Sequence, residues 1–132
     1  MNTNPQTPDN KAYGQVICTH NAAHYTWGGN CDSWHLLKTA ALSVIEEKMP
    51  AGTFEQLHYH HRAQQLFYIL SGVATFEINE KIITVNANES ISIPAEARHF
   101  IANKSPEDLN FLVISQPNSH GDRINIFPNE KP

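Results

Sequence analysis

The chain has 132 residues, 40% of them hydrophobic and 17% charged, with a net charge of −4 at pH 7. That length suits one ordinary domain able to bury a core without disulfide or metal staples, and the charge balance leaves no basic face for nucleic acid or an anionic membrane surface. Small molecules and protein partners remain. The opening "MNTNPQTPDNKAYG" has neither the charged n-region nor the apolar h-region of a secretory signal, and no apolar run approaches the roughly 20 residues of a spanning helix, so a cytoplasmic protein is expected. In a reducing compartment Cys18 and Cys31 are expected as free thiols.

Taken in chain order, residues 1–12 are rich in Asn, Thr and Pro and read as a loosely attached arm ahead of one domain over 13–127; residues 128–132 read as a tail. "AYGQVI" has strand character. "CTHNAAHYTWGGNCDSWH" reads as a Trp-anchored loop with buried thiols; His20 and His24 have an i, i+4 spacing found in zinc sites, but no Cys-x-x-Cys knuckle accompanies them. "ALSVIEEKM" (41–49) is a strand ended by "PAGT". "QLHYH" (56–60) and "LFYIL" (66–70) flank "HRAQQ", and Ser-Gly then turns the chain into "VATFEIN" (73–79), where Ala74, Phe76 and Ile78 share a face. "IITV" (82–85), "SISIP" (90–94), "RHFIAN" (98–103) and "LNFLVIS" (109–115) complete the series, separated by the turn-forming "NANE" and "KSPED". Short alternating strands punctuated every eight to twelve residues, with no long amphipathic helix, predict an all-β antiparallel sandwich or barrel, jelly rolls and cupins among the candidates.

The stretch "HYHHRAQQ" carries the chemistry. Side chains at i and i+2 of a strand face the same way, so His58 and His60 point together while Tyr59 turns aside. Two imidazoles on one face can converge on a single metal ion if the strand curves inward.

At this point the chain resembles the cupin superfamily, over about residues 40–115. The first cupin motif runs glycine, five residues, His-x-His, three or four residues, glutamate, six residues, glycine; Gly52, His58, His60, Gln65 and Gly72 fit its intervals. In the second motif, Asn88, Pro94, Glu96, His99 and Asn103 occupy the places of glycine, proline, glycine, histidine and asparagine. Asn tolerates the positive φ that a glycine position requires and Glu does not, so the turn at Glu96 is expected to be made differently. The resemblance implies a double-stranded β-helix barrel with His58, His60, Gln65 and His99 as metal ligands. Gln64 is the alternative fourth ligand, although the six-residue interval to Gly72 favours Gln65.

An amide in place of the usual carboxylate leaves a divalent ion with its whole charge, which points to an anionic small-molecule ligand. Three histidines and one oxygen suit Zn, Ni, Fe, Mn or Cu alike. The catalytic candidates near such a metal are three. Glu46 and Glu47 are neighbours in the strand before Gly52, so one turns inward if that strand is central, and Glu46 is carried as a general base. Tyr68 lies on the ligand-bearing hairpin, out of phase with Gln65, as packing or as an acid. Arg123, in the loop after the last strand, suits bidentate carboxylate recognition or a structural pair with Asp122.

Cupins host many chemistries, so function rests on the site. The leading expectation is Lewis-acid chemistry of the isomerase or lyase type on an acidic or hydroxylated molecule, and the three-His, one-Gln set is similar to that of small cupins that process unsaturated uronates. A dioxygenase and a non-catalytic binding module are the alternatives. A homodimer is expected, with "LSVIEE" and "NFLVIS" as edges to be covered and the "AYGQVI" segment pairing across the two-fold.

Overall fold

The computed structural model describes residues 14–128, and these form β-strands joined by turns, with no α-helix among them. The strands are β1 (Ala23–Trp27), β2 (Cys31–Lys38), β3 (Ser43–Met49), β4 (His58–His60), β5 (Gln64–Ser71), β6 (Val73–Ile78), β7 (Lys81–Asn86), β8 (Ser90–Ile93), β9 (His99–Ala102), β10 (Leu109–Gln116) and β11 (Arg123–Asn125). They pair antiparallel in two sheets, ordered β1-β2-β3-β10-β5-β8 and β11-β4-β9-β6-β7. The arm at 1–12 and all but the first residue of the 128–132 tail lie outside the described residues.

Alternation explains how the sheets close. Phe67 and Ile69 on β5, Phe111 on β10 and Met49 on β3 are buried from one sheet, Phe76 and Ile101 from the other. The rings of Phe67 and Phe76 meet edge to face across the gap with centroids 5.0 Å apart. Each such side chain contributes about 1.5–3 kcal/mol by leaving water, so these apolar layers hold the sheets in register.

Turn chemistry fixes the hairpins. Gly72, between β5 and β6, has φ +88, and a Cβ there would lie 2.6 Å from the Asp108 carbonyl oxygen. Asn88 has φ 69 in the turn between β7 and β8, as its type allows. Glu96 corrects an expectation: the turn after Pro94 keeps the left-handed conformation, with Glu96 at φ 73. The Glu96 N–H donates to the His60 carbonyl at 2.7 Å and the Ala97 N–H to that of Pro94 at 3.3 Å, which holds the glutamate where glycine is the easier choice. Asn103 is buried, and its amide donates to the carbonyls of Met49 (2.8 Å) and Glu107 (2.7 Å), tying the loop before β10 to the end of β3.

Three further expectations change. Residues 23–38 are a β1–β2 hairpin rather than a loop, with Trp27 opposite Cys31; Cys31 is buried but Cys18 is exposed. The strands containing "LSVIEE" and "NFLVIS" are interior, because β3 lies between β2 and β10, and β10 between β3 and β5; the edges of the larger sheet are β1 and β8. Of "AYGQVI", Ala12 and Tyr13 lie outside the described residues and the remainder is irregular, with Val16 82% exposed.

One irregularity within β2 shapes the cavity. Pairing with β3 runs Ser33↔Glu47 and His35↔Ile45, then shifts to Leu37↔Val44 and Lys38↔Ser43, leaving Leu36 out of the ladder. Strict alternation from His35 would send Lys38 outward; the bulge resets the parity so that His35 and Lys38 both stand opposite inward-facing residues.

Candidate metal centre and its cavity

The β4 segment His-Tyr-His buries its two histidines and leaves Tyr59 half-buried, as the period of two requires. His99 on β9 pairs directly with His58. One ring nitrogen from each of His58, His60 and His99 lies within 4.8 Å of the others, the distance a shared ion bridges. Nδ1 of His58 donates to the Gln56 carbonyl at 2.7 Å and Nδ1 of His99 to the Ala97 carbonyl at 2.8 Å. Because a carbonyl only accepts, these bonds fix the tautomer and leave Nε2 of both rings as a lone-pair donor.

Burial holds all three imidazoles at a pKa of about 4, with Arg123 adding to the effect on His58 and the histidines acting on one another. They are therefore neutral at pH 7, the form that ligates. Gln65 enters from the opposite sheet, buried on β5, and its Nε2 donates to Ser115 Oγ at 2.9 Å. Its Oε1 is buried with no partner among the described residues, as are Nε2 of His99 and Nδ1 of His60. Each buried unpaired polar atom costs about 1–3 kcal/mol, and a cation held by the three-histidine cluster is the kind of partner a bare ring nitrogen or amide oxygen there would take.

His58, His60 and Gln65 line a cavity of about 250 Å³ that also carries Tyr25, Glu47, Glu55 and Arg123. The inward carboxylate of β3 is Glu47, not Glu46. Alternation places Glu47 opposite Ser33 and Phe111, whereas Glu46 stands opposite Trp34 and Leu112 on the outer face. Ser33 Oγ donates to Glu47 Oε2 at 2.7 Å and accepts from Trp27 Nε1 at 2.8 Å. Burial pushes the Glu47 carboxyl up to about 8, against the Ser33 hydrogen bond and with the nearby Glu55 adding to the rise. Tyr68 is likewise on the outer face, between Leu112 and Ser90, so it does not reach the cavity.

Arg123 does line the cavity. Its Nη1 is 3.6 Å from Glu55 Oε2, its Nη2 donates to the Gln56 carbonyl at 3.3 Å, and its Nε donates to Asn125 Oδ1 at 2.8 Å. Glu55 escapes sequence reasoning because "TFEQL" is not a regular strand; its side chain is only 12% exposed, and burial raises its pKa against the pull of Arg123. Asp122 Oδ2 accepts from the N–H groups of Arg62 and Ala63, each at 2.9 Å, which fastens the segment before β11 to the loop that follows His60. The second cluster around 18–35 does not assemble. His24 is engaged by Asp32 at 2.8 Å, and among the described residues the His58, His60 and His99 group is the one three-residue set placed to share an ion.

Among the described residues no helix is long and apolar enough to cross a membrane. The family model for the cupin domain matches residues 45–115. An oxalate-binding protein from Thermotoga maritima is 29% identical over 91 residues, which cover 65% of this chain and 75% of that protein. An uncharacterized protein from Methanocaldococcus jannaschii is 29% identical over 83 residues, 63% of this chain and 66% of that one, so the match spans just under two thirds of the relative's length. Among solved structures, one from Thermotoga maritima called a predicted oxalate decarboxylase has a TM-score of 0.70 at 24% identity, covering 79% of this chain and 100% of that one, a likeness of fold.

Proposed function

The chain belongs to the cupin domain family, and on that premise we propose that it is a metal-dependent enzyme acting on an anionic small molecule by isomerase- or lyase-type chemistry. The observation that carries this reading is the convergence of three neutral histidines, two of which line one cavity with Gln65, whose Oε1 is buried and unpaired. His58, His60, His99 and Gln65 would hold one divalent first-row ion. Such an ion, when bound, supplies Lewis acidity toward a carbonyl or enol oxygen.

The chain's own residues do the rest. Arg123 presents a guanidinium to the cavity and is the group to orient a substrate carboxylate. Glu47, with its carboxyl up to about 8 by burial, is protonated at neutral pH and can give its proton to one atom of the substrate, leaving a carboxylate that keeps the Ser33 hydrogen bond and can take a proton from another. Oxalate, which gives the Thermotoga relative its name, is the first ligand to test. A homodimer is part of the proposal, supported by the edge position of β1 among the described residues and by the exposed Val16.

Elemental analysis of purified protein tests the metal. About one equivalent of a divalent first-row ion is expected, lost in His58→Ala and His99→Ala. Wild type with less than about a tenth of an equivalent under the same handling overturns the reading.

A further inference from the structure

Beyond the first cavity, toward the start of β3, lies a second chamber of about 400 Å³ that shares Tyr25, Ile45, Ser119 and His120 with it. Its own walls include His35, Lys38 and Ser43, and no carboxylate lines it. Ser43 is 2% exposed and its Oγ has no hydrogen-bond partner among the described residues; Nδ1 of His35 is buried and unpaired in the same way. A buried hydroxyl and a buried ring nitrogen stand unmatched beside a lysine, and with His35 in its Nδ1–H tautomer an anionic acceptor would satisfy all three. Lys38 is exposed at the end of β2, and it borders the chamber because the bulge at Leu36 sets it opposite the buried Ser43.

The chamber is in register with the metal ligands. Cross-strand pairing runs Gln65↔Ser115 and Ser115↔Ser43, then Ser43↔Lys38, so one row crosses four strands from a ligand to the cation. Three strand spacings cover roughly 14 Å, and the lysine stem reaches back over part of that. We propose that His35, Lys38 and Ser43 seat a distal anionic group, a carboxylate or a phosphate, of an elongated substrate whose other end lies at His58, His60 and His99. This deepens the function proposed above and rests on it for the proximal end. Oxalate is too short to occupy both ends. Burial, with the charges of Lys38 and His120, holds His35 below its usual pKa, and a seated anion would reverse the contribution of those charges.

Two titrations of the full-length chain test the proposal, and the first needs no metal. Inorganic phosphate added to metal-free protein should shift the ring resonances of His35 and His120 saturably, with affinity about tenfold weaker in Lys38→Gln. The absence of a saturable shift, or equal affinity in the variant, overturns the proposal. The second uses metal-loaded protein and calorimetry with dicarboxylates from oxalate to pimelate, and with 3-phosphonopropionate. Affinity should peak at a chain longer than oxalate, and Lys38→Gln should remove that advantage while leaving oxalate binding and metal content unchanged. A peak for the carboxylates or for the phosphonate identifies the anion. Affinity that falls steadily with length overturns the proposal. If the wild type takes up no metal, the metal reading fails and the phosphate titration still decides this one.

Discussion

Replacing Glu47 by Gln keeps the size of the side chain and an oxygen to accept from Ser33, but removes the ability to ionise. The carboxyl is raised from 4.5 to about 8, so the folded protein binds this proton more tightly than the unfolded chain does. Its contribution to stability is complete below pH 4.5 and is lost as pH rises to about 8. The whole range is on the order of 5 kcal/mol at 1.36 kcal/mol per pH unit. The three histidines, lowered from 6.5 to about 4, act in the opposite sense, losing stability as pH falls from 6.5 through about 4. Above pH 6.5 their contribution is constant, while Glu55, also raised by burial, acts in the same sense as Glu47, so wild type loses at least the Glu47 share, about 2 kcal/mol, between there and about pH 8.5. Urea unfolding of metal-free protein at those two pH values should show wild type losing at least that amount and Glu47→Gln losing less by the Glu47 share. Glu46→Gln, altered on the outer face, should follow wild type. Parallel losses in wild type and Glu47→Gln would refute the assignment of the raised carboxyl.

Gln65→Glu should retain metal but bind oxalate about tenfold more weakly, because a carboxylate beside the ion lowers the charge an anion meets; calorimetry showing equal or tighter binding would sink that account. Asp122→Ala should cost about 1–3 kcal/mol and speed amide exchange at Arg62 and Ala63, whose N–H groups lose their acceptor; unaltered exchange there would contradict the clamp. Gly72→Ala should be destabilised by more than the roughly 1–3 kcal/mol of a strained φ alone, since the new Cβ also meets the Asp108 carbonyl. A melting temperature equal to wild type would show that the turn gives way freely.

The strands from Val73 to Gln116 were legible because their apolar residues alternate cleanly between turn-forming clusters. The cluster of His58, His60 and His99 was legible because motif spacing depends on strand parity, which survives in any sheet of this kind. The β1–β2 hairpin was obscured by its composition: β1 is mostly exposed, and only the "WGGNC" turn signals it. The choice between Glu46 and Glu47 turned on parity that the pair itself does not reveal. Lys48 and Met49 carry the signal, since a buried Met49 two residues on places Glu47 inside. The interior position of β3 follows from pairing with β10, more than sixty residues away, which no local pattern reports. Glu55 lies where the chain has no regular period at all.

The bulge in β2 makes the chemistry of the cavity's far end a matter of counting instead of residue identity. If Leu36 were drawn into the ladder by a one-residue slip, Leu37 would face the interior and Lys38 would face solvent, exchanging a cation for hydrocarbon with no substitution anywhere. Deleting Leu36 outright would instead regularise the strand and leave Lys38 where it is. Because His58, His60, Gln65 and His99 stand on β4, β5 and β9, neither event touches them. The residue at the far end of the cavity can therefore change through a shift of strand register alone, with the three-histidine cluster left in place.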